Sequence, residues 1–213
     1  LKQLSWRDMM PLFSYLYLRG SCRYCKKEIS IIYPLVELTV SLTIFSYFWV
    51  NGPMLDVGDI FLLAFTILFL LLIFFDALYL ILPDKIVFTL IGAALIYDFI
   101  FKRPELYNFM MSGLLLSLAF AIIYLVSRGE WMGFGDVKLV LAIGLILGYP
   151  LGVFSIVVAV WTAALLGIVL LALKKATRKT ALPFGSFLSA ATIVFIIFKD
   201  VIGEKISFIW YVF

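Results

Sequence analysis

The sequence predicts an all-α, polytopic membrane helical bundle of about seven transmembrane helices, and three observations carry that prediction. Hydrophobic residues make up 65% of the 213 and charged ones only 14%, with a mean hydropathy of +1.15. Soluble domains run near roughly 45–50% apolar and about 25% charged. Apolar runs of about 20 residues, long enough to cross the hydrocarbon core as helices, recur with short polar breaks between them. The alternating strands of a transmembrane barrel are absent.

Residues 1–32 are more hydrophilic, carry Lys2, Arg7, Arg19, Arg23, Lys26 and Lys27, and have Cys22 and Cys25 near their end. They read as a small cytoplasmic segment, and residues 33–213 as the transmembrane domain. No signal peptide is legible, and Leu1 is not an initiator methionine, so the chain reads as a piece of a longer one. Seven apolar segments follow, near 33–50, 60–82, 86–101, 108–126, 137–149, 151–173 and 183–198. The fifth and sixth meet at Gly148-Tyr149-Pro150, a turn signal, and form a hairpin. The last apolar stretch, Ile206 to Phe213, is too short to cross alone.

Counting Lys and Arg on alternate sides of the seven segments tests the orientation. With the N-terminus inside, the inner side collects the six residues named above, then Lys85, Arg128 and Lys138, then Lys174, Lys175, Arg178 and Lys179, thirteen in all. The outer side collects four, Lys102, Arg103, Lys199 and Lys205. The net charge of +4 therefore reflects membrane-flanking loops and gives no reason to expect nucleic acid as a partner, whereas membrane lipid is expected.

The sequence contains no histidine, which removes the usual general base near neutral pH, so acid–base chemistry falls to carboxylates. Asp136 sits in Gly133-Phe134-Gly135-Asp136-Val137-Lys138-Leu139, a polar interruption just before an apolar run. Asp76 lies near the end of the second segment, ahead of Leu82-Pro83-Asp84-Lys85. A helix continuing to Pro83 would leave Asp76 roughly 10 Å short of the break. The orientation brings both acids towards the inner face of the bilayer, and intramembrane acids are functional candidates.

Two carboxylates on different helices at one depth suit aspartic proteolysis. Like charges held close cannot both ionise readily, so the pair shares a proton, one member drawing a proton from water while the other protonates the scissile carbonyl. Gly133 and Gly135, lacking Cβ atoms, leave room for backbone or a peptide beside Asp136. Plainer readings stand beside these. Asp136 also serves as a helix N-terminal carboxylate, Asp76 as a buried acid paired with a base, and Asp84, after Pro83, as a cap. Lys138 either tunes the pair or anchors at the headgroups.

Asp76-Ala77-Leu78-Tyr79-Leu80-Ile81-Leu82-Pro83-Asp84 resembles the D-x6-P-D element of type IV prepilin peptidases, and Gly133 to Leu139 resembles their GxGD element. Leu18-Arg19-Gly20-Ser21-Cys22-Arg23-Tyr24-Cys25, Ile29-Ser30 and Tyr33-Pro34-Leu35-Val36-Glu37 resemble the family's cysteine segment and the start of its next helix. Leu182-Pro183-Phe184-Gly185 resembles its late PFG element, with Ser186 where proline is commonly found. The resemblance implies an intramembrane aspartic endopeptidase with Asp76 and Asp136 as the catalytic pair. Its substrates would be prepilins or type II secretion pseudopilins, cut after the glycine that ends a short basic leader. The expected location is the bacterial inner membrane, with the site on the cytoplasmic side.

The resemblance also implies, in many members, N-methylation of the new amino terminus with S-adenosylmethionine, for which no spacing in this chain shows a site. Glu37 is a candidate for the cytoplasmic module or for substrate contact, or else a structural acid at the helix entry. Cys22 and Cys25 make half of a tetrahedral zinc site, with no other cysteine or histidine in the sequence to complete it. Four-cysteine family members carry another C-x-x-C upstream, before the position of Leu1. A longer chain would then hold the complete zinc module and an eighth transmembrane helix. A reduced thiol pair or a site shared between two chains are the alternatives. Two other classes use parts of the same pattern: a proton-coupled transporter with intramembrane acids, and a non-catalytic membrane scaffold with a zinc module.

Overall fold

The computed structural model describes residues 5, 10, 12–53, 56–175, 177 and 180–212, without the side chains of 206–212. Lys2, Arg7, Arg178 and Lys179, which contribute to the charge count, and Phe213 lie outside the described residues. The chain forms two compact units, Leu1–Gly52 and Pro53–Phe213.

The first unit holds a one-turn helix α1 (Phe13–Tyr17) and a long apolar helix α2 (Ile32–Asn51). Between them an antiparallel bridge joins Ser21 and Glu28. The turn inside that bridge is closed by the Cys22 N–H donating to the Lys27 carbonyl at 2.9 Å and the Lys26 N–H donating to the Cys22 carbonyl at 3.0 Å. Glu37 belongs to this unit's own architecture, since its Oε2 accepts the Leu12 N–H at 2.8 Å.

The second unit contains α3 (Val57–Tyr79), α4 (Asp84–Phe101), a 3-10 turn (Arg103–Glu105), α5 (Leu106–Val126), α6 (Phe134–Leu147), α7 (Leu151–Ala172), α8 (Phe184–Ile197) and α9 (Lys199–Val212). Each of the seven predicted apolar segments is thus a helix, α2 to α8. The start of α3 is set by a reciprocal cap, the Asp59 N–H donating to Asp56 and the Asp56 N–H to Asp59. Its end comes three residues earlier than the segment predicts. Leu80 takes a left-handed conformation (φ 54°) and stops the helix, which places Asp76 in the last turn of α3.

By length and apolarity α2, α3, α7 and α5 with its 3-10 turn can cross a membrane, and α8 with α9, bent by 83°, would make a fifth span. The seven predicted crossings are not met on length. Both α6 and α8 have 14 residues, or about 21 Å at 1.5 Å per residue, against a hydrocarbon core of about 30 Å. These two short helices are the most enclosed. Nearly every residue of α6 from Asp136 to Leu147 is buried, as is most of α8.

Around them pack α3 and α7 on α8, and α4 and α5 on α6, with α6 and α8 also touching each other. Small residues allow the closest approach. A Cβ on Gly144 of α6 would lie 2.5 Å from the Gly113 Cα of α5, so the two backbones pass in direct contact. Polar contacts tie α7 to α8, where the buried Ser155 and Thr192 hydroxyls lie 3.3 Å apart. The predicted α6–α7 hairpin is present. Gly148 turns it at φ 66°, and Asn108 of α5 braces it, accepting the Tyr149 N–H at 2.7 Å and donating to the Tyr149 carbonyl at 3.1 Å.

Candidate active site

The two acids arrive from different helices. Asp76 comes down the last turn of α3, and Asp136 is the third residue of α6, three after the Gly133 that precedes the helix. Both are buried, at 6% and 8% exposure, yet both line one cavity of about 1120 Å³. The cavity walls come from the 129–133 loop, from Leu80 and Leu82, from Thr180 to Leu182, and from Ala163, Ala164 and Gly167 on α7.

Asp136 caps its own helix. Its Oδ2 accepts the Gly133 N–H at 3.2 Å, so the plainer sequence reading of this residue is realised together with its place in the cavity. Among the described residues Asp76 has no basic partner. Instead its Oδ2 accepts the backbone N–H of Ser186 at 2.6 Å and lies 3.0 Å from the Ser186 hydroxyl. Ser186 is in the first turn of α8, whose N-cap is Pro183 and whose own side chains provide no cap. Each carboxylate therefore meets a helix N-terminus, where unpaired N–H groups carry partial positive charge.

The expected supporting residues separate into distinct jobs. Pro83 is the N-cap of α4. Asp84 makes no side-chain cap and instead forms an ion pair with Lys138, which corrects the cap reading. Lys138 also lies 5.4 Å from the ring centroids of both Phe88 and Phe134. What comes close to Gly135 is Leu82, whose Cβ would be 3.2 Å from a Cβ placed there. Gly133 is more open, the nearest atom to such a Cβ being Asp136 Oδ2 at 3.8 Å.

Three features escape sequence reasoning. Ser186 is the first; its signal is the departure from proline in the PFG element. The second is Leu82, wedged between Gly135 and Gly185, where a Cβ on Gly185 would meet Leu82 Cδ2 at 2.9 Å and Asp76 Oδ2 at 3.2 Å. The third is the cavity wall formed by Glu130, Trp131 and Met132, which no motif marks. A smaller cavity of about 440 Å³, lined by Tyr97, Lys102 and Lys199 among others, lies at the other end of the bundle and includes neither acid.

Residues 1–51 match the profile of the Bacterial Peptidase A24 N-terminal domain, and residues 63–172 match that of the Type IV leader peptidase family. The chain belongs to the type IV leader peptidase family. Among relatives of this family member are proteins named prepilin leader peptidase/N-methyltransferase. The one from Stutzerimonas stutzeri is 33% identical over 200 residues, covering 92% of this chain and 68% of the relative. That from Pseudomonas aeruginosa PAO1 is 33% identical over 199 residues, with the same coverage. That from Aeromonas hydrophila is 30% identical over 208 residues, covering 96% and 69%. No solved structure matches.

The zinc expectation finds only half a donor set. Cys22 and Cys25 flank the tight turn of the first unit and are not joined by a disulfide. Among the described residues no group of three or more His, Cys, Asp or Glu converges to hold a metal. A structural zinc takes four ligands, so these residues do not by themselves fit it.

Proposed function

We propose that this membrane protein is an aspartic endopeptidase that removes the short basic leader of type IV prepilins or type II secretion pseudopilins, with Asp76 and Asp136 as its catalytic pair. The observation that carries the reading is that two buried acids from different helices line one cavity. The relatives' printed name supports the substrate class.

The chemistry follows from a pair that shares one proton. The unprotonated carboxylate takes a proton from water while the water oxygen bonds to the scissile carbonyl carbon, and the protonated member gives its proton to the carbonyl oxygen. The tetrahedral species then collapses. The C–N bond breaks, the carboxyl product forms, and a proton passes to the leaving nitrogen. Asp84 and Lys138 keep the starts of α4 and α6 together, Gly135 and Gly185 leave room for Leu82 to seat the two acids, and Gly133 holds Asp136 through its N–H.

We further propose that the protein lies in the bacterial inner membrane among lipid, with the 1–32 segment and the cavity on the cytoplasmic side, following the thirteen-to-four division of positive charge. A basic leader then stays in the cytoplasm while the helix after it lies in the bilayer. N-methylation of the new amino terminus would use S-adenosylmethionine as methyl donor, and no residue is assigned to it. Cys22 and Cys25 are proposed as two thiolate ligands of a zinc site completed by ligands other than the described residues.

The test is leader removal from a purified prepilin by the protein reconstituted in liposomes. Asp76→Asn and Asp136→Asn are each expected to abolish cleavage while inserting normally and keeping their helix content by circular dichroism. Wild-type cleavage by either variant would overturn the assignment.

A further inference from the structure

Asp76 is held by a residue that comes from the far end of the chain. Ser186, 110 positions away, aims its backbone N–H at Asp76 Oδ2 at 2.6 Å, with its hydroxyl 3.0 Å from the same oxygen. The hydroxyl also lies 3.1 Å from the Ile73 carbonyl, one turn before Asp76 on α3. Carrying a single proton, it donates to one of these oxygens at a time. Either way Ser186 is pinned to α3, and Oδ2 of Asp76 is occupied.

We infer that Ser186 is a positioning residue for catalysis: it fixes Asp76 through Oδ2 and so leaves Oδ1 as the oxygen that acts on water. The inference rests on the peptidase reading of the cavity. Three observations support it. Both Ser186 contacts converge on one oxygen rather than spanning the carboxylate. Asp76 is 94% buried, so its rotamer is set by protein contacts rather than by bulk water. The glycine before Ser186 is needed for the approach, because a Cβ on Gly185 would come within 3.2 Å of the same Oδ2.

Asp136 is held differently, by one longer bond from its own helix start. The two acids are thus unequal in this chain. Proline at position 186 would bring neither the N–H nor the hydroxyl, so this member orients Asp76 by a contact that a proline-bearing relative cannot make.

Ser186→Ala keeps the N–H and loses the hydroxyl, Ser186→Thr keeps both, and Ser186→Pro loses both. With a purified prepilin as substrate, Ser186→Ala is expected to lower kcat about tenfold with KM unchanged, equivalent to about 1.4 kcal/mol in the barrier. Ser186→Thr should restore wild-type kcat, and Ser186→Pro should fall below Ser186→Ala. Because the proline variant can misfold, a readout without substrate is added: labelling of the full-length protein by a hydrophobic carbodiimide, with the Asp76 and Asp136 adducts resolved by peptide-mapping mass spectrometry. Loss of the hydroxyl contact is expected to change the labelling rate at Asp76 several-fold and to leave Asp136 unchanged.

A Ser186→Ala variant that matches wild type in both kcat and Asp76 labelling overturns the inference. If the wild-type protein cuts no prepilin while Asp76 labelling responds to Ser186→Ala alone, the peptidase reading fails and the positioning contact stands.

Discussion

Lys138 of α6 and Asp84 at the start of α4 form an ion pair across 54 positions of sequence, joining the two chain breaks that carry the acids. Lys138 is mostly enclosed, at 16% side-chain exposure, between the Phe88 and Phe134 rings, whereas Asp84 is 62% exposed. Exposed pairs of this kind contribute about 0.2–1 kcal/mol and weaken with salt. A double-mutant cycle with Asp84→Asn and Lys138→Met, read by thermal unfolding in detergent, should return a coupling in that range that shrinks at high salt. A salt-independent coupling would show that the pair is more deeply shielded than its exposure implies.

Leu82 fills the space left by two glycines, and the fit can be tested by crowding it. Gly185→Ala places a methyl 2.9 Å from Leu82 Cδ2 and 3.2 Å from Asp76 Oδ2. Overpacking of this sort typically costs about 1–3 kcal/mol. Gly185→Ala should reduce prepilin cleavage at least tenfold while the protein still inserts. Adding Leu82→Ala removes the two Cδ contacts and should recover part of the activity; no recovery would mean that the pressure falls on Asp76 directly.

The contact of Gly144 with Gly113 leaves no room to yield, because the near atoms are backbone. A methyl on Gly144 would sit 2.5 Å from the Gly113 Cα and 2.6 Å from its nitrogen. Gly144→Ala should therefore force α5 and α6 apart and lower the unfolding temperature sharply, by about 3 kcal/mol or more of stability. Gly92, beside whose added Cβ nothing lies within 4 Å, is the control: Gly92→Ala should be neutral or slightly stabilising.

Asp98 on α4 is completely buried, and neither carboxylate oxygen has a hydrogen-bond partner among the described residues. Lys102 lies four residues on, just past the end of α4. A buried polar group left unpaired costs about 1–3 kcal/mol, so Asp98→Leu should unfold at a temperature equal to or above that of the wild type. A marked fall would reveal that the carboxylate has a function in the folded state.

Much of this architecture is legible in the sequence because its signals are local. Apolar run length marks the helices, Gly148-Tyr149-Pro150 marks the hairpin, and the absence of histidine directs attention to Asp76 and Asp136. The helix ends are less legible. Nothing in Asp76 to Pro83 announces that Leu80 will turn left-handed and end α3 three residues early. Contacts between distant segments are not legible at all. Ser186 reaches Asp76 over 110 positions, and Lys138 reaches Asp84 over 54, through packing that hydropathy does not encode. The cysteine turn shows the opposite limit: spacing identifies half of a metal site, while the described residues hold no other half.

The two central helices have a consequence for the surrounding lipid. At about 21 Å each, α6 and α8 fall roughly 9 Å short of the hydrocarbon core of about 30 Å; Asp136 stands in the first turn of α6, and Asp76, at the end of α3, is bound by the first turn of α8. On the proposed peptidase reading, the length of this short pair, rather than any loop, would set the depth at which water meets the peptide bond. Bilayer thickness becomes a determinant of turnover: in vesicles whose acyl chains are lengthened step by step, cleavage should pass through an optimum, as mismatch shifts the outer helices relative to this fixed inner rule.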